Sequence, residues 1–507
     1  VTEELIAYHE ARARGGAGLI ILEGATIHET YAYPEQFIYL GSDKCIPGIK
    51  KLTDRCHQYD CKVIGQLFHA GRAVRISLDG SQPVAWAPSE IPDERYRIVP
   101  KEMPREMIYE IIEAYSEAAL RLQKAGCDGV EVLAGMGYLV AQFMNPSTNQ
   151  RKDEFGGSFE NRLRFLSEIL IKTRAKVGGE FVIGIRVSGD ELDGLGLDAN
   201  DMLKICKTID DKQLVDYFNV IASSSATPFG WIRVFPPMEI KPLYAAPFAK
   251  EIRKNVSRPV ILGGRINQPQ EAEKIISEGV ADFCAMVRPF IADPEFAIKA
   301  ESGNSEHIRV CVACNQACVG HRLAHFPVSC IQYPESGREQ IYGELELVKK
   351  AQKVMVVGGG PAGMKAAIVA ANRGHSVEIF EKSAQLGGQV LLAQQLPGRE
   401  EFGGVATNLA HELQATTAIT HLNQEVTAQT ITEFAADVVI IATGSVVRKA
   451  NLDLDEKTDI VYAHDIIKNN KKTANSVVVA DWRCDWVGLG VAEKLAQQGC
   501  HVRLVVN

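Results

Sequence analysis

The sequence predicts an α/β protein in which a (β/α)8 TIM barrel is followed by Rossmann-like domains. Three observations support this fold class: strand-helix alternation up to residue 303, four clustered cysteines after it, and a glycine-rich turn between a strand and a helix near residue 358. Parallel strands joined by helices are typical of α/β folds. The predicted domains are 1–303, 304–345, 346–470 and 471–507.

Seven short apolar runs before residue 303 are predicted strands, and amphipathic helical stretches separate them. The predicted strands are 18–22, 63–67, 129–133, 181–187, 217–222, 259–263 and 282–287. The clearest predicted helices are 1–14, 105–125, 160–176 and 270–278. Such regular alternation favours an eight-fold barrel over the alternative, a doubly wound sheet. Because the chain starts with a helix and without a methionine, we expect it to be trimmed, with the first barrel strand ahead of Val1.

Four cysteines lie close together after the predicted barrel. Cys311, Cys314 and Cys318 form a Cys-x2-Cys-x3-Cys pattern, and eleven residues separate Cys318 from Cys330. Four thiolates at this spacing suit a 4Fe-4S cluster, whereas structural zinc sites usually combine two ligand pairs. A zinc knuckle and unliganded thiols are the alternatives. The pattern predicts electron transfer through a metal cluster.

A predicted strand at 354–357 leads into Gly358, Gly360 and Gly363 and then into a helix. Glycines at these positions allow a tight turn and a close approach of backbone amides to a pyrophosphate. Glu381 ends the next predicted strand, where an acidic residue can bind ribose hydroxyls. These features together predict dinucleotide binding, and 437–444 continues the same domain as a further strand.

A second nucleotide-binding unit begins in the same way but lacks the glycines. A predicted strand at 477–480 and a predicted helix at 491–498 flank the turn Asp-Trp-Arg-Cys-Asp-Trp at 481–486. Two carboxylates and two indoles in this turn would repel and exclude a pyrophosphate. We therefore expect a Rossmann-like unit without ordinary nicotinamide-nucleotide binding.

Composition excludes several classes of partner. The 55 Lys and Arg residues against 63 Asp and Glu residues give a formal net charge of −8, which argues against nucleic acid and anionic membranes. The sequence contains no signal peptide and no apolar run of about 18 residues. Twelve dispersed cysteines fit a reducing cytoplasm. We expect a cytoplasmic enzyme with a small-molecule substrate, and the oligomeric state stays open.

The order of barrel, cysteine segment and nucleotide domain resembles the iron-sulfur flavoprotein branch of the old yellow enzyme family. This branch includes 2,4-dienoyl-CoA reductase, trimethylamine dehydrogenase and N-methyl amine demethylases. The most specific match is the run Gly-Tyr-Leu-Val-Ala-Gln-Phe-Met-Asn-Pro at 137–146, which continues through 149–151, 156–158 and 160–162. The resemblance covers essentially the whole chain.

The resemblance implies FMN at the carboxyl ends of the barrel strands, where this fold places its active sites. By motif, Gln66 would bind the flavin pyrimidine edge, and Arg186 would place positive charge beside the flavin N1 region. Gly264, Arg265 and Arg288 would hold the FMN phosphate. Backbone amides and guanidinium groups suit a phosphate.

Tyr138 occupies the position of the family's tyrosine proton donor, and His69 is a second candidate that would steer the substrate or the flavin. The sequence also departs from the family pattern. The loop at 229–233 lacks the histidine of dienoyl-CoA reductase, and Leu133 and Met136 replace the Tyr and His of trimethylamine dehydrogenase. Neither relative is therefore matched in full.

The degenerate second turn favours oxidation, with electrons leaving through the cluster. The expected reaction is oxidative N-demethylation of a secondary or tertiary N-methyl amine or amino acid, with Glu23, Phe229 and Trp231 around the cationic substrate. Gln389 follows a Gly-Gly pair that favours FAD over ADP in the Gly358 domain. An electron-transferring flavoprotein would accept the electrons. The alternative is an NAD(P)H-dependent reductase of activated alkenes, of the 2-enoyl or 2,4-dienoyl-CoA type.

Overall fold

The computed structural model describes residues 1–31, 37–74, 84–448, 459–468 and 474–506. The chain divides into two compact units. Unit 1 comprises Val1–Ser305 and Asn315–Gly343, and unit 2 comprises Glu306–Cys314 and Glu344–Asn507. The predicted segment 304–345 therefore contributes residues to both units, and the predicted domain boundaries stay predictions.

Unit 1 is built around a parallel sheet. Its strands are β1 (Leu19–Thr26), β2 (Lys62–Phe68), β3 (Trp86–Ala87), β4 (Lys101–Glu102), β5 (Gly129–Leu133), β6 (Val182–Ser188), β7 (Tyr217–Ile221), β8 (Val260–Gly263) and β9 (Phe283–Ala285). Seven of them form one sheet in the order β1-β2-β5-β6-β7-β8-β9, and β3 pairs with β4 separately. Every neighbouring pair of the large sheet is parallel. All seven predicted strands and the barrel-like fold class are confirmed.

Helices connect these strands, as the alternation predicts. They are α1 (Glu3–Arg14), α2 (Ile46–His57), α3 (Arg105–Lys124), α4 (Leu139–Met144), α5 (Phe159–Val177), α6 (Ala199–Asp211), α7 (Pro228–Val234), α8 (Ala246–Asn255), α9 (Pro269–Ser277), α10 (Val287–Ala292), α11 (Phe296–Glu301), α12 (His321–Leu323) and α13 (Glu339–Tyr342). Side-chain caps fix several starts: Thr2 accepts from the Leu5 amide, and Ser158 accepts from the Asn161 amide. The four predicted helices are confirmed.

The core of unit 1 lies between the sheet and the helices. All five positions of β5 and of β7 are buried, as expected for parallel strands covered on both faces. The largest fully buried side chains include Tyr115, Phe143 and Phe165. No helix in the described ranges is both long and apolar enough to cross a membrane.

Unit 2 contains a four-stranded parallel sheet and a smaller two-stranded one. Its strands are β10 (Lys353–Val357), β11 (Ser376–Phe380), β12 (Ile419–His421), β13 (Val438–Ile441), β14 (Ser476–Asp481) and β15 (His501–Val506). Its helices are α14 (Pro361–Asn372), α15 (Val390–Ala393), α16 (Gly403–Gln414), α17 (Ala428–Phe434), α18 (Ala463–Ile467) and α19 (Trp486–Gln497). The order β12-β11-β10-β13 is that of a Rossmann half-sheet, with the first strand in the centre. The predicted nucleotide-binding fold is therefore confirmed.

Candidate functional site

A cavity of about 2370 Å³ lies within unit 1. It brings together most of the residues that the sequence predicts for the barrel site. These are Glu23, Gln66, Tyr138, Arg186, Trp231, Gly264, Arg265 and Arg288. His69 and Phe229 are not among the residues that line it.

A cluster of hydrogen-bonded polar side chains lies on the inner face of three strands, β2, β5 and β7. The Gln66 side-chain amide donates to Glu131 Oε1 at 2.7 Å. Tyr217 and Asn219 donate to Glu131 Oε2 at 3.0 and 2.9 Å. Gly184 makes this possible, because a Cβ there would lie 2.1 Å from the Tyr217 ring. Glu131 is fully buried, and its carboxylate accepts hydrogen bonds from three side chains. It therefore holds the polar groups at the floor of the cavity in place.

Sequence reasoning missed Glu131, Tyr217 and Asn219. The available signal was a charged or amide residue inside an otherwise apolar strand, since such residues are seldom buried without a structural or functional role. Arg186 is the register partner of Asn219, and Gln66 is the register partner of Glu131. Reading the strands as a register would therefore have brought all four polar positions together.

The floor of the cavity fits a flavin ring. Asn219 is buried and lines the cavity, and its Oδ1 has no hydrogen-bond partner among the described residues. A free amide oxygen suits the ring N–H of an isoalloxazine, because an unpaired buried acceptor is costly. Gln66 and Arg186 line the same cavity, as the FMN prediction requires.

Positive charge gathers near Tyr244, where the phosphate prediction falls. Burial raises the pKa of Tyr244 to about 12, and the charges of Arg288, Arg186 and Arg233 oppose that rise. Gly264 has φ +147°, and Arg265 follows it at φ +53°. Backbone in this region can turn successive amides toward an anion. The predicted residues therefore fit the phosphate group of FMN.

Arg288 has protein partners within unit 1. Its guanidinium donates to the Pro236 carbonyl oxygen at 2.8 Å and to Asn315 Oδ1 at 2.9 Å. Asn315 in turn donates to the Phe235 carbonyl oxygen at 2.6 Å. These bonds fix the direction of the Arg288 side chain and leave its other donors for a phosphate.

Tyr138 lines the cavity at the end of a strained turn. Met136 and Gly137 both have left-handed backbone, with φ +61° and +69°. The Met136 amide donates to Ser188 Oγ at 2.9 Å, and the Met136 carbonyl accepts from Ser225 Oγ at 2.7 Å. Two serines, Ser188 at the end of β6 and Ser225 in the loop after β7, therefore hold this conformation. Non-glycine residues in such backbone cluster at functional sites.

His69 is 2% exposed, and both of its ring nitrogens contact protein groups. Nδ1 accepts from the Gly71 amide at 3.0 Å, so Nε2 carries the proton toward Thr30 Oγ1 at 2.9 Å. Burial, together with the charge of His28, lowers the pKa of His69 to about 3. A neutral, fully bonded imidazole suits a positioning role, and the part of His69 in steering the substrate or the flavin stays a prediction.

Arginine side chains already lie against the aromatic rings that are predicted to surround a cationic substrate. The Arg95 guanidinium lies 3.3 Å from the centroid of the Trp231 ring. The Arg233 guanidinium lies 4.2 Å from the centroid of the Phe229 ring. Arg233 itself lines the cavity. This end of the cavity therefore presents positive charge, which attracts a substrate carboxylate.

Glu23 lines the cavity on β1, and its side chain is 43% exposed. Its Oε2 lies 3.3 Å from His9 Nε2 on α1. Partial desolvation in the cavity wall raises the pKa of Glu23, but the hydrogen bond to His9 and the charge of His9 outweigh this and hold the pKa below its ordinary value. Glu23 is therefore ionised at neutral pH, and its hydrogen-bond partner is His9.

The four candidate metal ligands belong to two units. Cys311 and Cys314 lie in unit 2, and Cys318 and Cys330 lie in unit 1. In unit 2 the Ala313 amide donates to Cys311 Sγ at 3.4 Å, and in unit 1 the Gln332 amide donates to Cys330 Sγ at 3.5 Å. Amide hydrogen bonds to sulfur are among the groups that tune iron-sulfur clusters.

Among the described residues, no group of three or more His, Cys, Asp or Glu side chains is arranged to hold a metal ion. Ligation by the four cysteines therefore stays a prediction from their spacing.

The glycine-rich turn of unit 2 has the geometry that phosphate binding needs. Gly358 has φ +109°, and a Cβ on Gly363 would lie 1.8 Å from the Gly358 carbonyl oxygen. The Glu381 carboxylate accepts from the Gly359 amide at 2.7 Å and from Ser383 Oγ at 2.6 Å. Gln389 donates to the Ser445 carbonyl oxygen at 2.8 Å. The predicted residues come together within unit 2 and fit a nucleotide.

The second turn of unit 2 is already filled by a side chain. The Asp481 carboxylate accepts from the Arg483 amide at 2.9 Å and from the Cys484 amide at 3.1 Å. The Asp485 amide also donates to Asp481, at 3.3 Å. These are the amides that would bind a pyrophosphate in a working turn. A carboxylate therefore occupies the anion position.

Comparison with known protein families gives two matches. The model of the NADH:flavin oxidoreductase / NADH oxidase family matches residues 1–307. The model of the pyridine nucleotide-disulphide oxidoreductase family matches residues 352–507. The two matches correspond to the barrel and to the nucleotide-binding fold.

Relatives match over the whole chain. The chain is 37% identical to an NADH oxidase of Thermoanaerobacter brockii, over 100% of this chain and 77% of the relative. It is 34% identical to an N,N-dimethylglycine/sarcosine dehydrogenase of Chromohalobacter salexigens, over 100% of this chain and 74% of the relative. A solved 2-naphthoyl-CoA reductase complex superposes with a TM-score of 0.91 at 32% identity, over 99% of this chain and 77% of that one. Oxidases, dehydrogenases and reductases thus share this architecture.

Proposed function

Because the chain belongs to the NADH:flavin oxidoreductase / NADH oxidase family, we propose that it oxidises an N-methyl amine that carries a carboxylate, such as an N-methyl amino acid. The resemblance to the iron-sulfur flavoprotein branch of the old yellow enzyme family is confirmed by both family matches and by the relatives. The chain is therefore an oxidoreductase with an FMN-binding barrel and a nucleotide-binding domain.

The turn at Asp481 is the observation that favours electron entry from an organic substrate over entry from NAD(P)H. A reductase that takes hydride from NAD(P)H needs a second pyrophosphate site. The backbone amides that would form this site already donate hydrogen bonds to the Asp481 carboxylate. Bringing a diphosphate beside this carboxylate would add like-charge repulsion. Entry of electrons from an organic substrate is therefore favoured over entry from a pyridine nucleotide.

Positive charge in the barrel cavity supports a carboxylate as the second functional group of the substrate, beside the N-methyl amine. Arg233 lines the cavity, and its guanidinium lies over the ring of Phe229, at the end where the substrate is predicted. A guanidinium binds a carboxylate through two parallel hydrogen bonds. The relative that acts on dimethylglycine and sarcosine uses substrates with both an N-methyl group and a carboxylate. This combination supports an amino acid over a simple amine.

The chain's own residues have defined tasks in this proposal. Gln66, Arg186 and Asn219 hold the flavin ring, and Gly264, Arg265 and Arg288 hold its phosphate. Bound FMN supplies hydride acceptance from the substrate methyl group. The amine must first lose its proton, because a nitrogen lone pair assists hydride departure. Water can take that proton, and Tyr138, which faces the cavity from the start of α4, is the candidate group that positions the substrate by a hydrogen bond from its hydroxyl.

Cys311, Cys314, Cys318 and Cys330 are the proposed ligands of a 4Fe-4S cluster. Their spacing and their soft thiolate chemistry support the proposal. A cluster transfers one electron at a time, which suits export to a protein acceptor such as an electron-transferring flavoprotein. The nucleotide at Gly358, FAD or ADP, is held by Gly358, Gly360, Gly363, Glu381 and Gln389.

The proposal is tested by assaying the purified protein with dimethylglycine, sarcosine and N-methylproline, using an artificial one-electron acceptor and measuring formaldehyde. We expect formaldehyde in proportion to the acceptor reduced. A quaternary analogue, glycine betaine, should give none because its nitrogen has no lone pair. NADPH oxidation coupled to reduction of cinnamate or another activated alkene, with no formaldehyde from any amine, would contradict the proposal.

A further inference from the structure

A second cavity, of about 220 Å³, lies behind the Tyr138 turn in unit 1. Gly137 lines this smaller chamber, whereas Met136 and Tyr138 line the larger cavity. The turn 136–138 therefore forms a wall between the two. The larger cavity holds the proposed reaction, and nothing in the proposed function uses the chamber.

Three buried polar atoms of residues lining the chamber lack hydrogen-bond partners among the described residues. They are Arg72 Nε, Asp93 Oδ2 and Glu191 Oε1. The three residues are only 8%, 4% and 3% exposed. Their other atoms are bonded: Arg72 donates to the carbonyls of Ile91 and Pro92, and Glu191 Oε2 accepts from the Leu197 amide at 2.9 Å. The chamber thus presents one free donor and two free acceptors.

Water is the ligand that satisfies this set. A water molecule both donates and accepts, it typically makes about three hydrogen bonds when buried, and each occupies about 30 Å³ in the liquid. A cavity of about 220 Å³ has room for several. A metal cation fits less well, because the Arg72 guanidinium shares the wall and, within the described ranges, no three carboxylate, histidine or cysteine side chains are arranged to hold a metal ion.

Glu191 is the group in the chamber that exchanges a proton near neutral pH. Burial raises the pKa of Glu191 to about 7, and the charge of Asp193 adds to the rise. The backbone amides of Leu197 and Gly137 and the charge of Arg72 act in the opposite direction. Asp93 also faces the chamber, and burial raises its pKa as well. Glu94 is the remaining charged residue of the lining.

We propose that the chamber is a buried water site, and that Glu191 couples the protonation of this site to the position of Tyr138 through Gly137, which shares the chamber wall with Glu191 and precedes Tyr138 in the turn. An ionised carboxylate is a stronger hydrogen-bond acceptor than a neutral carboxyl group, so the waters between Glu191 and the Gly137 wall are held differently in the two protonation states. The left-handed backbone of Met136 is strained and is held by its bonds to Ser188 and Ser225, so a change in hydrogen bonding at the adjacent Gly137 shifts the turn. Glu191 is a positioning residue, since it acts on Tyr138 through the turn.

Carboxyl infrared difference spectra of the holoprotein between pH 5.5 and 8.5 test the proton exchange directly. We expect a protonated carboxyl band that disappears with a midpoint near pH 7 in the wild type and is absent in Glu191→Gln. Asp198→Asn is the matched control, because Asp198 caps α6 outside the chamber lining. A band that persists unchanged in Glu191→Gln, or a Glu191 that stays ionised throughout this range, would overturn the proposal.

Gly196→Ala supplies a second variant that keeps the carboxyl group. A Cβ at Gly196 would lie 1.9 Å from Glu191 Oε2, so the carboxylate must move away from its present place. We expect the midpoint of the band to shift by at least half a pH unit, whereas Asp198→Asn leaves it in place. An unshifted midpoint would contradict the location of the titrating group.

The effect on Tyr138 rests on the proposed function and is measured separately. In the wild type, kcat for dimethylglycine should change across pH 6 to 8, and Glu191→Gln should lose this dependence while KM changes less than threefold. Glu191→Asp should restore part of the pH dependence. Equal pH profiles for wild type and Glu191→Gln would overturn the coupling to Tyr138. If no amine is oxidised, the proposed function fails, but the infrared midpoint still decides the chamber.

Discussion

Single polar residues in apolar strands define the barrel site more sharply than the motifs around them. Gln66 and Arg186 were predicted by resemblance, and both line the cavity. Glu131 and Asn219 were detectable in principle, because each interrupts a buried strand. The contact between Arg95 and Trp231 was not, since it joins residues far apart in the sequence. Local sequence patterns indicate which residues face inward, but they do not show which residues from distant parts of the chain contact them.

Arg233 should determine recognition of the substrate carboxylate. For Arg233→Gln, we expect KM for dimethylglycine to rise by about 10- to 100-fold, which corresponds to the loss of a charged hydrogen bond of about 1.5–3 kcal/mol. The kcat value should change little, because the reacting methyl group is not contacted. Arg164→Gln is the control, as Arg164 lies on α5 with its side chain 44% exposed. An unchanged KM would remove Arg233 from the substrate site.

His69 should make the protein sensitive to acid. Its folded pKa of about 3 lies below the unfolded value of 6.5, so the folded state binds fewer protons between these values. The stability contribution is full above pH 6.5 and is lost as the pH falls toward 3. At pH 4.5 the loss is on the order of 3 kcal/mol.

The acid sensitivity is measured by urea unfolding at pH 7 and pH 4.5. His69→Gln should be less stable than wild type at pH 7, because it loses bonds to Thr30 and Gly71, and the gap should narrow at pH 4.5. His307→Gln, whose side chain is 51% exposed in the wild type, serves as the control. A gap that is equal at both pH values would mean that His69 is not buried in its neutral form.

The apolar periodicity of the sequence predicts most helices and strands correctly, but it does not predict the residues at which they end. The predicted strand 437–444 is shorter in the structure, Val438–Ile441, because the chain turns at Gly444 with φ +73°. The short strand Ile419–His421 was not predicted, since two of its three residues are exposed and no apolar run marks it. Short elements depend on pairing with a neighbour, here β11, which sequence periodicity does not report.

The glycine-rich turn before α14 should be indispensable for nucleotide binding. In Gly363→Ala, the new methyl group would lie 1.8 Å from the Gly358 carbonyl oxygen, so the turn must open. We expect the adenine nucleotide to be lost and FMN to be retained, because FMN binds in the other unit. Chromatography of the nucleotides released on denaturation measures both. Gly179→Ala is the control, since nothing lies within 4 Å of a Cβ there. Retention of adenine nucleotide at wild-type stoichiometry would place the nucleotide elsewhere.

At the scale of the whole molecule, the sequence predicts the order of the parts, and the structure groups them differently. The predicted segment 304–345 is divided, with Glu306–Cys314 in unit 2 and Asn315–Gly343 in unit 1. A cysteine pattern that is continuous in sequence therefore draws residues from both units. Spacing alone predicts shared ligation, but it does not predict which body each ligand belongs to.

Iron and inorganic sulfide in anaerobically prepared protein test the cluster. We expect about four of each per chain for a 4Fe-4S centre. Cys318→Ser should lose most of both, because a cluster needs all four thiolates. Cys484→Ser should keep the wild-type content, since Cys484 is exposed and lies outside the predicted ligand set. Zinc in place of iron, or equal iron in the two variants, would contradict the predicted ligation.

The direction of electron flow is tested most directly by anaerobic stopped-flow measurement of flavin absorbance. We expect dimethylglycine or another N-methyl amino acid to bleach the flavin rapidly, and NADH and NADPH to leave it oxidised. Rapid bleaching by a pyridine nucleotide, together with no response to any N-methyl amino acid, would contradict it.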